Sequence, residues 1–130
     1  MFLGLDPGKS KCGLAVMDFE RKLWVQEVVP TSRTIERVAK ILADYPISVI
    51  IVGNGTGSKA WRDLLEPQVK VVLVDEKFST LEARQKYWQL YPPKGIFKLL
   101  PQSWRIPPRD FDDVVAIVLI ERYLKQLVTE

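Results

Sequence analysis

Two stretches of this chain, residues 47–52 and 69–74, are too short for ordinary helices and too apolar for strands with one wet face. Runs of that length and character are strands buried on both sides, which demands parallel pairing and helices over each face of the sheet. Upstream, residues 2–5, 13–17 and 23–29 read as strands joined by short polar turns, a spacing that favours an antiparallel start. Between the two sets, residues 34–45 repeat Ile35, Val38, Ala39 and Leu42 at helical spacing, with Thr31 or Ser32 near the start and Pro46 as the stop. Residues 58–65 predict a short helix. Ser79-Thr80-Leu81-Glu82 has the form of a capping box opening a helix through about residue 90. Residues 92–108 hold five of the nine prolines and predict a loop or arm, after which a last helix runs over about 110–127. The expected order is β-β-β-α-β-α-β-α, arm, α: an α/β fold on a mixed five-stranded sheet, antiparallel in β1-β2-β3 and parallel in β4 and β5, flanked by helices.

A chain of 130 residues with 47% hydrophobic content fits one globular domain over residues 1–130, with the Pro-rich basic arm at about 92–108. No apolar run reaches the roughly 18 residues of a membrane span, and no secretory signal is evident, so a soluble protein without membrane contact is expected. The lone Cys12 reads as a buried structural thiol, in keeping with a reducing cytoplasm. Histidine is absent, which removes Ser-His-Asp and Cys-His chemistry, His-ligated zinc and an imidazole base. Catalysis is left to carboxylates, lysines, hydroxyls or metal. Monomer and homodimer are both compatible with the sequence.

The net charge of +3 is unevenly placed. From Arg84 to Arg109 the chain carries Arg84, Lys86, Lys94, Lys98, Arg105 and Arg109 with no Asp or Glu, interleaved with Tyr87, Trp88, Tyr91, Phe97 and Trp104. Cations alternating with flat rings suit a phosphate-and-base surface. For the helix-borne Tyr87, Trp88 and Tyr91, packing back onto the domain is the favoured reading. For Lys94, Lys98, Arg105 and Arg109, contact with nucleic acid is favoured, because charge of one sign repels itself unless a partner neutralises it.

Three acids stand at element boundaries: Asp6 closes the first apolar run, Glu76 follows the last strand, and Asp113 opens the final helix. Carboxylates held at the ends of buried elements suit a hard, oxygen-seeking cation such as Mg²⁺ or Mn²⁺ and point to a metal-dependent phosphodiesterase. Asp6-Pro7-Gly8 also has the makings of a plain turn. Asp75 and Glu76 are neighbours on a strand, so only one of them faces the site. Asp110, Asp112 and Asp113 all sit where a helix starts and are stabilised there without any function. Periodicity places Asp113 on one face with Ala116, Ile117 and Ile120 and turns Asp112 towards solvent.

Three motifs carry a resemblance. Asp6-Pro7-Gly8-Lys9-Ser10-Lys11-Cys12-Gly13-Leu14-Ala15, Asp75-Glu76-Lys77-Phe78-Ser79-Thr80 and Asp113-Val114-Val115-Ala116 are similar to D-x-G-x-x-x-x-G-x-A, D-E-R-x-S-T and D-x-x-A of the YqgF (RuvX) family, relatives of the RuvC Holliday-junction resolvases within the ribonuclease H-like fold. The resemblance implies a ribonuclease H-like nuclease with Asp6, Glu76 and Asp113 as catalytic metal ligands. It selects Glu76 over Asp75, and adds Asp110 as a further ligand, since RuvC-type enzymes have a pair of acids three apart. It also implies Mg²⁺ or Mn²⁺ as cofactor, and structured RNA, as in processing of the small-subunit ribosomal RNA precursor, or branched DNA as partner. Lys9, Lys11 and Lys77 would hold flanking phosphates or act as solubilising charge.

The chain departs from the family pattern in carrying Lys11 and Lys77 where Arg is usual, and lysine cannot supply a bidentate fork. Residues 52–58 lack the family's usual proline-containing loop. Two other classes stay open. Asp6-Pro7-Gly8 with Gly53-Asn54-Gly55-Thr56-Gly57 resembles the phosphate loops of actin-like ATPases and sugar kinases, although one domain is short of the two that close around ATP. A catalytically silent nucleic-acid-binding module is the other.

Overall fold

The computed structural model describes residues 1–101 and 107–129. Five strands, β1 (Phe2–Asp6), β2 (Lys11–Met17), β3 (Leu23–Pro30), β4 (Val49–Gly53) and β5 (Lys70–Val74), form one sheet in the order β3-β2-β1-β4-β5. β2 pairs antiparallel with both β1 and β3, whereas β4 runs parallel to β1 and β5 parallel to β4. This is the ribonuclease H-like mixed sheet expected from the sequence. Helices α1 (Thr31–Asp44), α2 (Ser58–Leu65), α3 (Ser79–Leu90) and α4 (Asp112–Thr129) cover it.

Strand alternation assigns the two faces. Leu3 and Leu5 of β1, Leu14 and Val16 of β2, and Ile50 and Val52 of β4 point to one side and pack with Val38 and Ile41 of α1 and Leu65 of α2. Phe2, Ala15, Met17, Val49 and Ile51 point to the other and pack with Ala83 and Tyr87 of α3 and with the whole inner length of α4. Asp6 is two residues from Gly4 and four from Phe2, so it belongs to the α4 face.

α1 begins at Thr31, one of the two residues expected near its start; the Thr31 hydroxyl donates to the Gly8 carbonyl (2.8 Å) and its N–H to the Ser10 carbonyl (2.9 Å), which ties the helix start to the β1–β2 turn. Other local expectations are corrected. The capping box does not form. Phe78 stands at the N-cap of α3 with a left-handed backbone (φ 62°) and no side-chain cap, while Glu82 reaches across to Arg122 at 3.0 Å. The arm contains a short 3-10 turn over Gly95–Leu99. α4 starts at Asp112, two residues later than expected. Cys12 is fully buried, with Sγ 3.6 Å from the Thr31 hydroxyl. Among the described residues, no helix is long and apolar enough to cross a membrane.

Candidate active site

Asp6 is the last residue of the central strand β1 and pairs with Gly13 of β2. A Cβ at Gly13 would lie 1.8 Å from the Asp112 carbonyl oxygen, and one at Gly4 2.5 Å from that of Ala116. Both positions therefore need glycine, and through them the backbone of α4 lies directly on the sheet with its first residue over the Asp6–Gly13 pair. The consequence appears in the electrostatics. Asp6 is pushed up to about 7, first by burial, then by the charge of Asp112 and then by that of Glu76. Asp112, half-buried, is itself raised by burial and by Asp110, with Lys11 acting the other way.

Glu76 arrives from the sheet's other half. Its carboxylate rests on the segment after β4, where a Cβ at Gly55 would meet Oε1 at 1.9 Å and one at Gly53 would meet Oε2 at 2.7 Å. Its backbone N–H donates to Asn54 Oδ1 (3.3 Å), and Asn54 N–H donates to the Val74 carbonyl (2.9 Å). The glycine-rich segment, open to reading as a phosphate loop, is the cradle of this carboxylate. Asp75 faces away and accepts the Lys77 N–H at 3.0 Å in an Asx turn.

Asp113 and Asp112 exchange their expected places. Asp113 is 2% exposed and faces β3, not Asp6: it takes both guanidinium nitrogens of Arg109 at 3.1 and 3.2 Å and the Gln26 amide at 3.0 Å. Arg109 in turn lies against Tyr87 and Tyr91, 5.3 and 5.4 Å from the ring centres. Asp112, expected to face solvent, is half-buried, with its backbone carbonyl seated against Gly13 beside Asp6. Periodicity could not separate the two acids because every residue from Asp113 to Ile120 is buried, and a helix enclosed all round has no single inner stripe. Nothing local marks Asp112; the nearest signal is Gly13, whose missing Cβ admits the helix start.

The remaining candidates divide. Asp110 is exposed and paired with Lys11, across the gap between the first hairpin and α4. Lys9 and Lys77 are exposed on the turns beside Asp6 and Glu76, with Lys77 Nζ 5.3 Å from the Phe78 ring centre. Lys94 and Lys98 are exposed on the arm. Arg109, expected to contact nucleic acid, has its charge engaged by Asp113. Arg105 lies outside the described residues. Tyr87 packs into the core with Trp88 half-buried against it, as favoured for them, whereas Tyr91, expected to pack back as well, is 43% exposed with its ring tilted against Tyr87.

Asp6, Glu76 and Asp112 offer an all-oxygen donor set, which fits Mg²⁺ or Mn²⁺. Among the described residues, no three acidic side chains converge tightly enough to ligate one ion as they stand.

The order and polarity of the mixed sheet, with helices over it, put the chain in the ribonuclease H-like fold class. No protein-family model matches the sequence. It is similar to a putative pre-16S rRNA nuclease of Roseiflexus sp. (strain RS-1), with 25% identity covering 94% of this chain and 92% of that protein. The end-to-end likeness to the YqgF/RuvX family, read from three short motifs, is carried by this match.

Proposed function

We propose that this protein is a divalent-metal-dependent nuclease that hydrolyses phosphodiester bonds in structured nucleic acid, with ribosomal RNA precursor as the first substrate class and branched DNA as the second. The observation that carries the reading is Asp6: a carboxyl at the end of the central strand, raised to about 7 by burial beside Asp112 and Glu76. Such a cluster is costly unless a cation neutralises it. The name of the Roseiflexus relative, a putative pre-16S rRNA nuclease, supports the RNA side of the proposal.

Asp6, Glu76 and Asp112 would hold the metal. Mg²⁺ or Mn²⁺, when bound, supplies the Lewis acid for attack of water on phosphorus. Asp113 takes no ligand role; with Arg109 and Gln26 it braces the start of α4 so that Asp112 stays over Asp6. Lys9, Lys11 and Lys77 surround the acids with cations that attract the phosphates on either side of the scissile bond. The glycines at 53 and 55 are occupied by Glu76, which favours the nuclease over a nucleotide-phosphate loop.

With Mn²⁺ or Mg²⁺, the protein is expected to cut a structured RNA or a branched DNA and to leave ATP intact. Tight binding with no cutting on any substrate or metal would establish the silent module, and ATP turnover lost on Asp6→Asn would establish the kinase-like alternative.

A further inference from the structure

Phe78 lies two residues beyond Glu76 and is 68% exposed. Its backbone is left-handed (φ 62°), a conformation that glycine or asparagine adopts at far less cost than an aromatic residue. The tight turn in which Ser79 N–H donates to the Glu76 carbonyl (2.9 Å) holds it there and keeps its Cα within about 7 Å of that of Glu76. A ring with a packing role would be buried. This one stands in water in a strained conformation, with Lys77 Nζ 5.3 Å from its centre. Strain that packing does not explain, at the edge of a candidate active site, points to function.

From these features we infer that Phe78 and Lys77 form a subsite for one unpaired nucleotide beside the scissile phosphate, the base stacking on the Phe78 ring and its phosphate meeting the Lys77 ammonium. The inference rests on the nuclease reading above. A nucleobase fits better than a protein partner because the exposed apolar surface here is small. Among the described residues between 66 and 89, Leu81, one helical turn on and 50% exposed, is the other exposed large apolar side chain, whereas a stable protein interface needs about 800 Å² per side. An aromatic face flanked by a cation is also the arrangement that binds single strands without regard to sequence. The consequence is a preference for cutting next to a loop, bulge or frayed end, where a base is free to leave its neighbours.

The test uses the full chain carrying Asp6→Asn, in chelator so that no metal-dependent cutting occurs. It is titrated with a single-stranded RNA oligonucleotide containing one 2-aminopurine, whose fluorescence falls on stacking. Phe78→Leu keeps the bulk and the backbone conformation but removes the π-face, and should weaken binding roughly 5- to 150-fold and abolish the quench. Phe78→Tyr should retain both. Phe78→Gly relieves the left-handed backbone and should lose the quench without lowering Tm, which separates the ring's role from folding. Unchanged affinity and quench in Phe78→Leu, against a parent that binds, overturns the subsite and leaves the nuclease reading standing. A parent that binds neither this oligonucleotide nor a structured RNA overturns both.

Discussion

A carboxyl buried beside two other acids holds its proton more tightly than one in water, and at Asp6 the difference is large: 3.8 in the unfolded chain, about 7 when folded. Between those values the folded protein binds the extra proton, so the Asp6 contribution to stability is fully present below about pH 4 and is lost as pH rises through 7. Asp6→Asn removes that dependence. Compared with wild type in the absence of divalent ions, it should be more stable above pH 7, by at most on the order of 4 kcal/mol at about 1.4 kcal/mol per unit, with the gap closing towards pH 4. Thermal melts of the two proteins across this range measure it, and the difference cancels the other carboxylates. Added Mn²⁺ should raise the wild-type Tm and leave that of Asp6→Asn nearly unchanged. Parallel pH curves for the two proteins would show that Asp6 is not in a crowded acidic site.

At the scale of elements, the first turn of α4 gives its two acids opposite duties. Asp112 sits over the Asp6–Gly13 pair because Gly4 and Gly13 let the helix backbone onto the sheet. Asp113, about 100° further round the helix, is directed towards β3 and takes Arg109 and Gln26. Asp112→Asn should therefore abolish cleavage with Tm unchanged or raised, since a repulsive charge is gone. Asp113→Asn should cost roughly 1–3 kcal/mol, less than a fully buried pair would, because the Arg109 side chain is 41% exposed. Melts and cleavage assays on both variants separate the roles: a well-folded but inactive Asp113→Asn beside an active Asp112→Asn would restore the assignment expected from the motif. The helix pattern could not reveal this, because helical spacing identifies an inner stripe only when one side of the helix is wet. The capping box failed for a related reason. Glu82 found a cation on α4, and the turn after Glu76 placed Phe78, not a hydroxyl, at the head of α3.

At the scale of the whole molecule, acids from other parts of the chain engage some of the described cations of the basic stretch. Arg109 is held by Asp113 and Lys86 by Glu121 (3.2 Å), both within the basic stretch that the sequence offered as a single surface. Lys94 and Lys98 are exposed around the arm's 3-10 turn. Replacing Lys94 and Lys98 together with Ala should lower the slope of log K against log salt by roughly 0.7 to 0.9 for each lost phosphate contact, while Arg109→Ala should act mainly on Tm. Binding isotherms at several salt concentrations check this, and an unaltered slope would remove the arm from the nucleic-acid surface. What the sequence determined by itself was whatever depends on near neighbours: five strands and their mixed polarity from apolar runs and connection lengths, and Asp6 at a strand end. Motif resemblance added Glu76 over Asp75. Which acid of the helix start lies beside Asp6, and which cations of the basic stretch pair with acids, was decided only by the tertiary structure. Both turn on how α4 seats on two glycines of the sheet, a contact between residues more than a hundred positions apart in one case and about that far in the other, for which no local pattern exists.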